Sequence, residues 1–356
     1  MKTAFAIPGN LHSRTGGYIY ERRMLESLPE IGVPTQYIPL IPSYPDPTAE
    51  ATADAAAKLG ALGPETVLIL DGLVFGSLET EILASLACPI VAMLHHPLGL
   101  EAGLSPERAA ALIARETANL RHAAHVVVPS AHTRDILIAR FGVKPGDISV
   151  ALPGFDRPTE PAIGVPRVRP PLILSVGLIC RRKGHDVLLD ALAQLHDLDW
   201  QCVIVGMTHD ESVRQALLGQ RTELGLHGRV RFTGEISEAE LDALWRQAHL
   251  FALATRYEGY GMVLSEAQLY GLPILSCRVG AVPQTVSAQE AILTPPDDAP
   301  AFAAALSRLL TDPALHARMG HASRSAGEAL PRWHDAARVM QAAVERARAR
   351  QESFKP

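Results

Sequence analysis

No pair of cysteines in this chain has the C-x-x-C spacing of a structural zinc site or a redox dithiol. Cys88, Cys180, Cys202 and Cys277 are the whole complement, and three of them fall in or beside apolar, strand-like runs. That pattern predicts buried, reduced thiols in a cytoplasmic protein rather than disulfides. Long hydrophobic runs are also missing. No stretch approaches the roughly 18 apolar residues of a membrane span. The opening MKTAFAIPGN carries one lysine and a short apolar run broken by Pro8 and Gly9, which does not make a signal peptide. The expected location is therefore the cytoplasm, and any membrane contact would be peripheral, at the inner face. A basic excess is absent too: 33 Lys and Arg stand against 38 Asp and Glu, a formal net charge of -5. Nucleic-acid binding, which draws most of its affinity from such an excess, is not expected. Arg14, Arg22, Arg23, Arg121, Arg134 and Arg140 give the first half several basic positions. They could meet an acidic acceptor or a lipid surface, or be ordinary solvated side chains. Nothing in the sequence points to an oligomeric state.

What is present is an alternation. Hydrophobic residues make up 47% and charged residues 20% of 356 positions, a globular profile long enough for two cores. Short apolar runs predict strands at 4–7, 35–40, 66–71, 89–94, 125–129 and 148–152, and again at 172–176, 201–206, 229–234, 250–255, 273–277 and 291–295. Helical patterns fill the gaps. Ser105 with Pro106 opens one, and Ser237 with Glu240 forms an S-x-x-E capping box before another. Continuous apolar strands separated by helices indicate parallel sheets covered on both faces. The proline-rich PTEPAIGVPRVRPP (158–171) reads as a linker. The expectation is α/β: an N-terminal Rossmann-like domain over 1–157, the linker, and a second Rossmann-like domain over 172–330. A C-terminal helix over 331–356 would pack back on the first domain. Two doubly wound domains facing across a cleft would bring ligands to the carboxyl ends of their strands.

Two stretches of the second half carry candidate chemistry. In ATRYEGYGMVLSEAQLYGLP (254–273), a strand gives way to a glycine-containing turn and then to a short helix ended by Gly271 and Pro273. Gly259 and Gly261 permit close backbone approach to a ligand. The helix start near Met262 and Val263 offers unpaired N–H groups to an anion. Glu258 and Glu266 flank that end, placed to accept bonds from sugar or ribose hydroxyls. An ordinary glycine turn with a capping Glu accounts for the same spacing. In SVGLICRRKGHDVLLDALAQL (175–195), a strand ends at Gly177, a basic loop follows, and a helix begins near His185. Lys183, reinforced by Arg181 and Arg182, could stabilise the charge developing on a diphosphate leaving group. A solvated basic loop is the plain alternative.

Taken in order, these segments resemble the retaining glycosyltransferases of family 4, which have the GT-B fold. The resemblance runs through VG…KG-x-D-x-LL-x-A, VIVG (203–206) and FTGEIS (232–237). It continues through E-G-x-G…E-A, with seven residues between Glu258 and Glu266, then G-x-P (271–273) and PPDD (295–298). It implies a hexosyltransferase acting in polysaccharide or related biosynthesis, with a nucleoside-diphosphate sugar as donor. The acceptor would be a glycan, a lipid-linked sugar or a small molecule. Lys183 would bind the donor diphosphate and Glu266 the ribose. Glu258 and the backbone of Gly259, Tyr260 and Gly261 would hold the donor sugar, and the main chain near Ile236 would lie close to the base. Family members commonly carry Arg directly after the glycine at position 177. Here Leu178 stands there, and Arg182 is the candidate substitute cation.

In the first half, RTGGYIYERRMLESL (14–28) has Gly16 and Gly17 opening a helix after the first strand. The resemblance implies close approach to donor phosphate or acceptor, whereas a turn needing positive φ is the plain alternative. His95 and His96 follow the strand at 89–94. A histidine there in the family lies near the reacting sugar, and His95 aligns best. It could bond a sugar hydroxyl or stabilise an oxocarbenium-like centre, while a structural histidine remains the alternative. Asp197-Leu198-Asp199 resembles a metal-binding D-x-D but sits just before a strand, on the wrong side for a cleft. The remaining histidines lack ligand spacing, so neither a metal nor another cofactor is expected. Two further readings are a two-lobed sugar-binding protein and a catalytically degenerate GT-B member. Replacing Lys183 with Ala is expected to lower turnover and leave the fold intact.

Overall fold

A computed structural model describes residues 2–101, 103–158 and 168–353. Its contacts divide the chain into two compact units, Met1–Asp156 with Pro331–Pro356, and Arg157–Leu330. Of the linker expected at 158–171, residues 159–167 lie outside the described residues.

The first unit is built on β1 (Lys2–Pro8), β2 (Thr35–Leu40), β3 (Thr66–Asp71), β4 (Ile90–Met93), β5 (Ala123–Val128) and β6 (Ile148–Val150). All its pairings are parallel, in the order β2-β1-β3-β4-β5-β6. β3 and β4 are buried along their whole length, which is why they read as unbroken apolar runs rather than alternating ones. The helices start where the sequence caps them. Thr15 accepts from the Tyr18 amide at the head of Gly16–Glu30, and Ser105 accepts from Arg108 at the head of Pro106–Asn119. The helix Trp333–Ser353 belongs to this unit. It buries Ala336, Ala337, Met340, Ala343, Val344 and Ala347 at helical spacing, and Trp333 meets Tyr20 edge-on at 5.6 Å.

The second unit carries β7 (Leu172–Val176), β8 (Gln201–Val205), β9 (Val230–Gly234), β10 (Leu250–Leu253), β11 (Ile274–Cys277) and β12 (Ala291–Thr294). Its sheet is again parallel, ordered β12-β11-β10-β7-β8-β9. From the first strand outward this is the 3-2-1-4-5-6 order of doubly wound dinucleotide-type folds. The Ser237–Glu240 capping box forms with both of its bonds at the head of Glu238–Gln247.

Each expected strand coincides with an observed one to within two residues at either end. The four cysteines are free, with Cys88, Cys202 and Cys277 buried and Cys180 partly so. No helix among the described residues is long and apolar enough to cross a membrane.

Candidate functional site

In an open α/β sheet, ligands sit at the carboxyl ends of the strands where the strand order reverses. In the second unit that point lies between β7 and β10, neighbours in the sheet. The segments leaving those two strands are the two motif stretches, 177–184 and 254–261.

Two glycines allow them to meet. Gly184 has φ +63, and a Cβ on it would lie 1.9 Å from the Ala254 carbonyl oxygen, so only glycine fits there. Gly177 leaves room for the aliphatic stem of Lys183, three of whose carbons would lie 3.2–3.3 Å from a Cβ at 177. The stem carries the ammonium to Glu258: Nζ donates to Oε1 at 2.7 Å, and both residues are buried. Thr255 Oγ1 donates to the same oxygen at 2.9 Å. Arg182 Nη1 lies 3.6 Å from Oε2 and donates to the Tyr257 carbonyl at 3.2 Å. Burial alone would raise the Glu258 carboxyl, but Lys183, Arg182 and the hydrogen bonds outweigh it and hold the group below its ordinary value.

The turn after Glu258 is fixed from the other side. The Ala281 amide donates to Glu258 O at 2.9 Å, and Thr285 Oγ1 donates to Tyr260 O at 2.6 Å. Gly261, in the left-handed region at φ +90, is the N-cap of Met262–Leu269 and no side chain caps it. The start of this helix is the anion-attracting end that the sequence placed near Met262 and Val263. One turn in, Glu266 is partly buried. Burial pushes its carboxyl up to about 7, against a smaller opposing pull from Lys183. Ile236 lies between β9 and the next helix, packed against that side of the core.

Leu178, where an arginine was expected, offers its carbonyl to His185 Nε2 at 3.2 Å. His185 is buried and its ring is pushed down to about 4, chiefly by desolvation, so it is neutral. Arg182 and not Leu178 thus brings the second positive charge to Glu258.

Sequence reasoning quoted Arg256 inside its motif but gave it no part. It makes a bidentate pair with Asp186 at 2.9 and 2.7 Å. It also bonds Asp297 at 2.7 Å and the Arg181 carbonyl at 2.6 Å. Its own amide donates to Arg182 O at 2.8 Å. The signal was available: an arginine beside the glutamate motif and an aspartate in the KG-x-D motif, one charge of each sign in the two motif segments.

The first unit has its own reversal point between β1 and β3. Gly16 and Gly17 follow β1, Asp71 ends β3, and His95 follows β4. Neither Gly16 nor Gly17 has positive φ, so a turn constraint does not explain the pair. A Cβ on Gly17 would instead touch the His95 ring at 3.4 Å. His95 Nε2 lies 3.5 Å from Glu21 Oε1, and Tyr20 meets the ring edge-on at 5.3 Å. His96 turns toward Glu101, at 3.6 Å. Glu21 and Asp71 are buried and hydrogen-bond each other. Burial pushes Glu21 up to about 7 and Asp71 well above its ordinary range. Glu21, Asp71 and His95 are the trio of the described residues whose ligand-type atoms lie within 4.8 Å of one another. However, Asp71 Oδ1 is already engaged by the amides of Leu73 and Val74. The sequence singled out neither carboxylate. Of the basic positions in this half, Arg23 pairs with Glu26 and Asp156, and Arg134 with Asp135.

Known proteins bear on these sites. Residues 156–326 match the family described as Glycosyl transferases group 1, and residues 20–157 match Glycosyltransferase Family 4. A D-inositol 3-phosphate glycosyltransferase of Corynebacterium efficiens is 33% identical over 188 residues, covering 50% of this chain and 44% of that protein. The chain thus spans about half the length of the first curated relatives it matches. The fold is that of sucrose-phosphate synthase from Thermosynechococcus elongatus, at TM-score 0.80 and 23% identity over 98% of this chain and 99% of that one. It is also that of Anabaena HepE in complex with UDP-glucose, at TM-score 0.72 and 18% identity over 97% and 98%. The architecture is therefore GT-B, and the chain belongs to the group 1 glycosyltransferases of family 4 type.

Proposed function

We propose that this protein transfers a hexosyl group from a nucleoside-diphosphate sugar to an acceptor hydroxyl with retention at the anomeric carbon. One observation carries the reading. A buried Lys183–Glu258 pair, 2.7 Å apart, stands at the strand-order reversal beside an uncapped helix start. Lys183 and the amides at Met262 and Val263 receive the diphosphate, with Arg182 as the second cation. Their positive charge neutralises the leaving group, so no metal is required. Glu258 and the backbone of Gly259, Tyr260 and Gly261 hold the donor sugar. Glu266 accepts the ribose hydroxyls, and the main chain at Ile236 borders the base. In the first unit, Gly16 and Gly17 admit substrate beside His95, which bonds a sugar hydroxyl.

The bond from the anomeric carbon to the phosphate oxygen breaks with its electron pair going to the diphosphate. The acceptor oxygen bonds the same face of that carbon, and its proton passes to the released phosphate oxygen. That HepE has been seen with UDP-glucose supports a nucleotide-sugar donor here. The acceptor is a glycan, a lipid-linked sugar or a small molecule.

The test is the melting temperature with excess UDP, GDP or ADP in EDTA. A nucleotide at about 100 times its Kd adds roughly 2.7 kcal/mol of stability, a readable shift. A rise with one nucleotide supports the site and identifies the base. No rise with any of the three would overturn the reading.

A further inference from the structure

We propose that Glu21 is the positioning residue of His95, holding its ring as the Nε2–H tautomer so that Nδ1 keeps the free lone pair. This deepens the reading above, in which His95 bonds a sugar hydroxyl.

The argument starts from two buried atoms without a hydrogen-bond partner, Glu21 Oε1 and His95 Nε2, which face each other at 3.5 Å. A carboxylate oxygen only accepts, and a neutral imidazole nitrogen donates only when it carries the proton. Facing Glu21, Nε2 is therefore the protonated nitrogen, and Nδ1 is left as an acceptor. The Glu21 side chain is 2% exposed and the His95 side chain 27%. Since Nε2 is itself buried, the accessible part of the ring lies elsewhere on it. Gly17 and Tyr20 close the ring in from other directions.

Behind Glu21, the partner that sets its ionisation is Asp71. Two backbone amides anchor Asp71, and it hydrogen-bonds Glu21. Of the two carboxyls, Asp71 is the one that this bond raises and Glu21 the one that it lowers. Above pH 7, where Glu21 is ionised, its carboxylate oxygen Oε1 faces His95 Nε2 and can only accept. The other ionisable groups acting on Glu21 are Tyr18 and Tyr37, both raised from the ordinary phenol value and so neutral around pH 7. Above pH 7 the order is Asp71 to Glu21, and Glu21 to H–Nε2 of His95. It starts at the end of β3, crosses to the helix after β1 and ends after β4, around the reversal point of the first sheet.

The experiment is nitrogen NMR of the full chain labelled in histidine, with His95 assigned by comparison with His95→Gln. At pH 8, where Glu21 is ionised, the expected result for the unmodified protein is a protonated-type Nε2 and an unprotonated-type Nδ1. In Glu21→Met, of similar size but with no acceptor, that preference should disappear. Turnover should fall by about tenfold while the Kd of the bound nucleotide stays unchanged. A wild-type His95 carrying its proton on Nδ1 would overturn the proposal, whatever any variant does. Stoichiometric Zn2+ uptake that depends on Glu21 would also overturn it, because a cation would then replace the proton at Nε2. The tautomer is read without substrate. A protein with the expected tautomer and no transferase activity would refute the functional reading alone.

Discussion

Lys183 and Glu258 form an ion pair 2.7 Å long in which both side chains are at most 10% exposed. Removing one partner leaves the other charge buried, which typically costs about 3–5 kcal/mol. Lys183→Met should therefore lose both nucleotide affinity and stability. This departs from the expectation that the fold would be indifferent to Lys183, since the sequence showed the cation but not its buried counter-ion. Arg182, 3.6 Å from the same carboxylate, should moderate the loss. The double variant Lys183→Met with Glu258→Gln should recover most of the stability and none of the turnover. Urea melts and nucleotide binding on the three proteins separate the two effects. A double variant no more stable than the single would argue against the pair as the source of the cost.

Arg256 ties the loop bearing Lys183 to the turn bearing Glu258, through Asp186, Asp297 and the Arg181 carbonyl. A lysine keeps the charge but cannot make the planar, bidentate bond to Asp186. Arg256→Lys should thus weaken nucleotide binding about tenfold, with a stability loss of about 1–2 kcal/mol. Isothermal titration with the nucleotide that raises the melting temperature checks the first figure. Unaltered affinity would mean that the loop holds its shape without this clamp.

Glu266 can accept both ribose hydroxyls only as a carboxylate, and burial raises it to about 7. Its ionised fraction climbs from about one tenth at pH 6 to about nine tenths at pH 8. Nucleotide affinity should accordingly rise severalfold over that interval beyond the change seen with Glu266→Gln. The difference between the two proteins cancels the titration of the nucleotide's own phosphates. Parallel curves for the two would remove Glu266 from the ribose.

Much of this architecture was legible because buried parallel strands must be apolar along their whole length. β3 and β7 begin and end at the residues that the apolar runs marked out. The ordered donor motifs were legible for a different reason: Lys183, Glu258 and Gly261 lie in short segments with a distinctive spacing. Pairings across the sheet were not. Glu21 sits on a helix, Asp71 at a strand end and His95 after another strand, 24 to 74 residues apart in the chain. No periodicity links them, and only the sheet order brings them together. At Gly17 the sequence offered close approach to a ligand or, as the plain alternative, a positive-φ turn; the structure shows no positive φ there and space beside His95 instead. The clamp made by Arg256 was not legible because a charged residue on a loop is usually solvated, and its two acidic partners come from separate segments, Asp186 from the first turn of a helix and Asp297 from a turn.

Glu116 offers a test of burial independent of any ligand. Its carboxyl is fully buried. One oxygen accepts the Leu98 amide at 3.2 Å, and the other has no partner. Desolvation pushes the group up to about 8 against the lowering effect of that one hydrogen bond. The folded value is above the unfolded one, so the folded state binds the proton more tightly. The stability linked to this group is fully present below the ordinary carboxylate range, near pH 4, and is lost as pH rises through 8. Glu116→Gln keeps the shape and cannot ionise, so it should show no such loss. Relative to wild type, the variant should gain on the order of 3 kcal/mol between pH 5 and pH 9. Urea denaturation of both proteins at the two pH values measures that gain directly. Equal pH slopes would mean that Glu116 ionises in place, with water reaching the oxygen that lacks a partner.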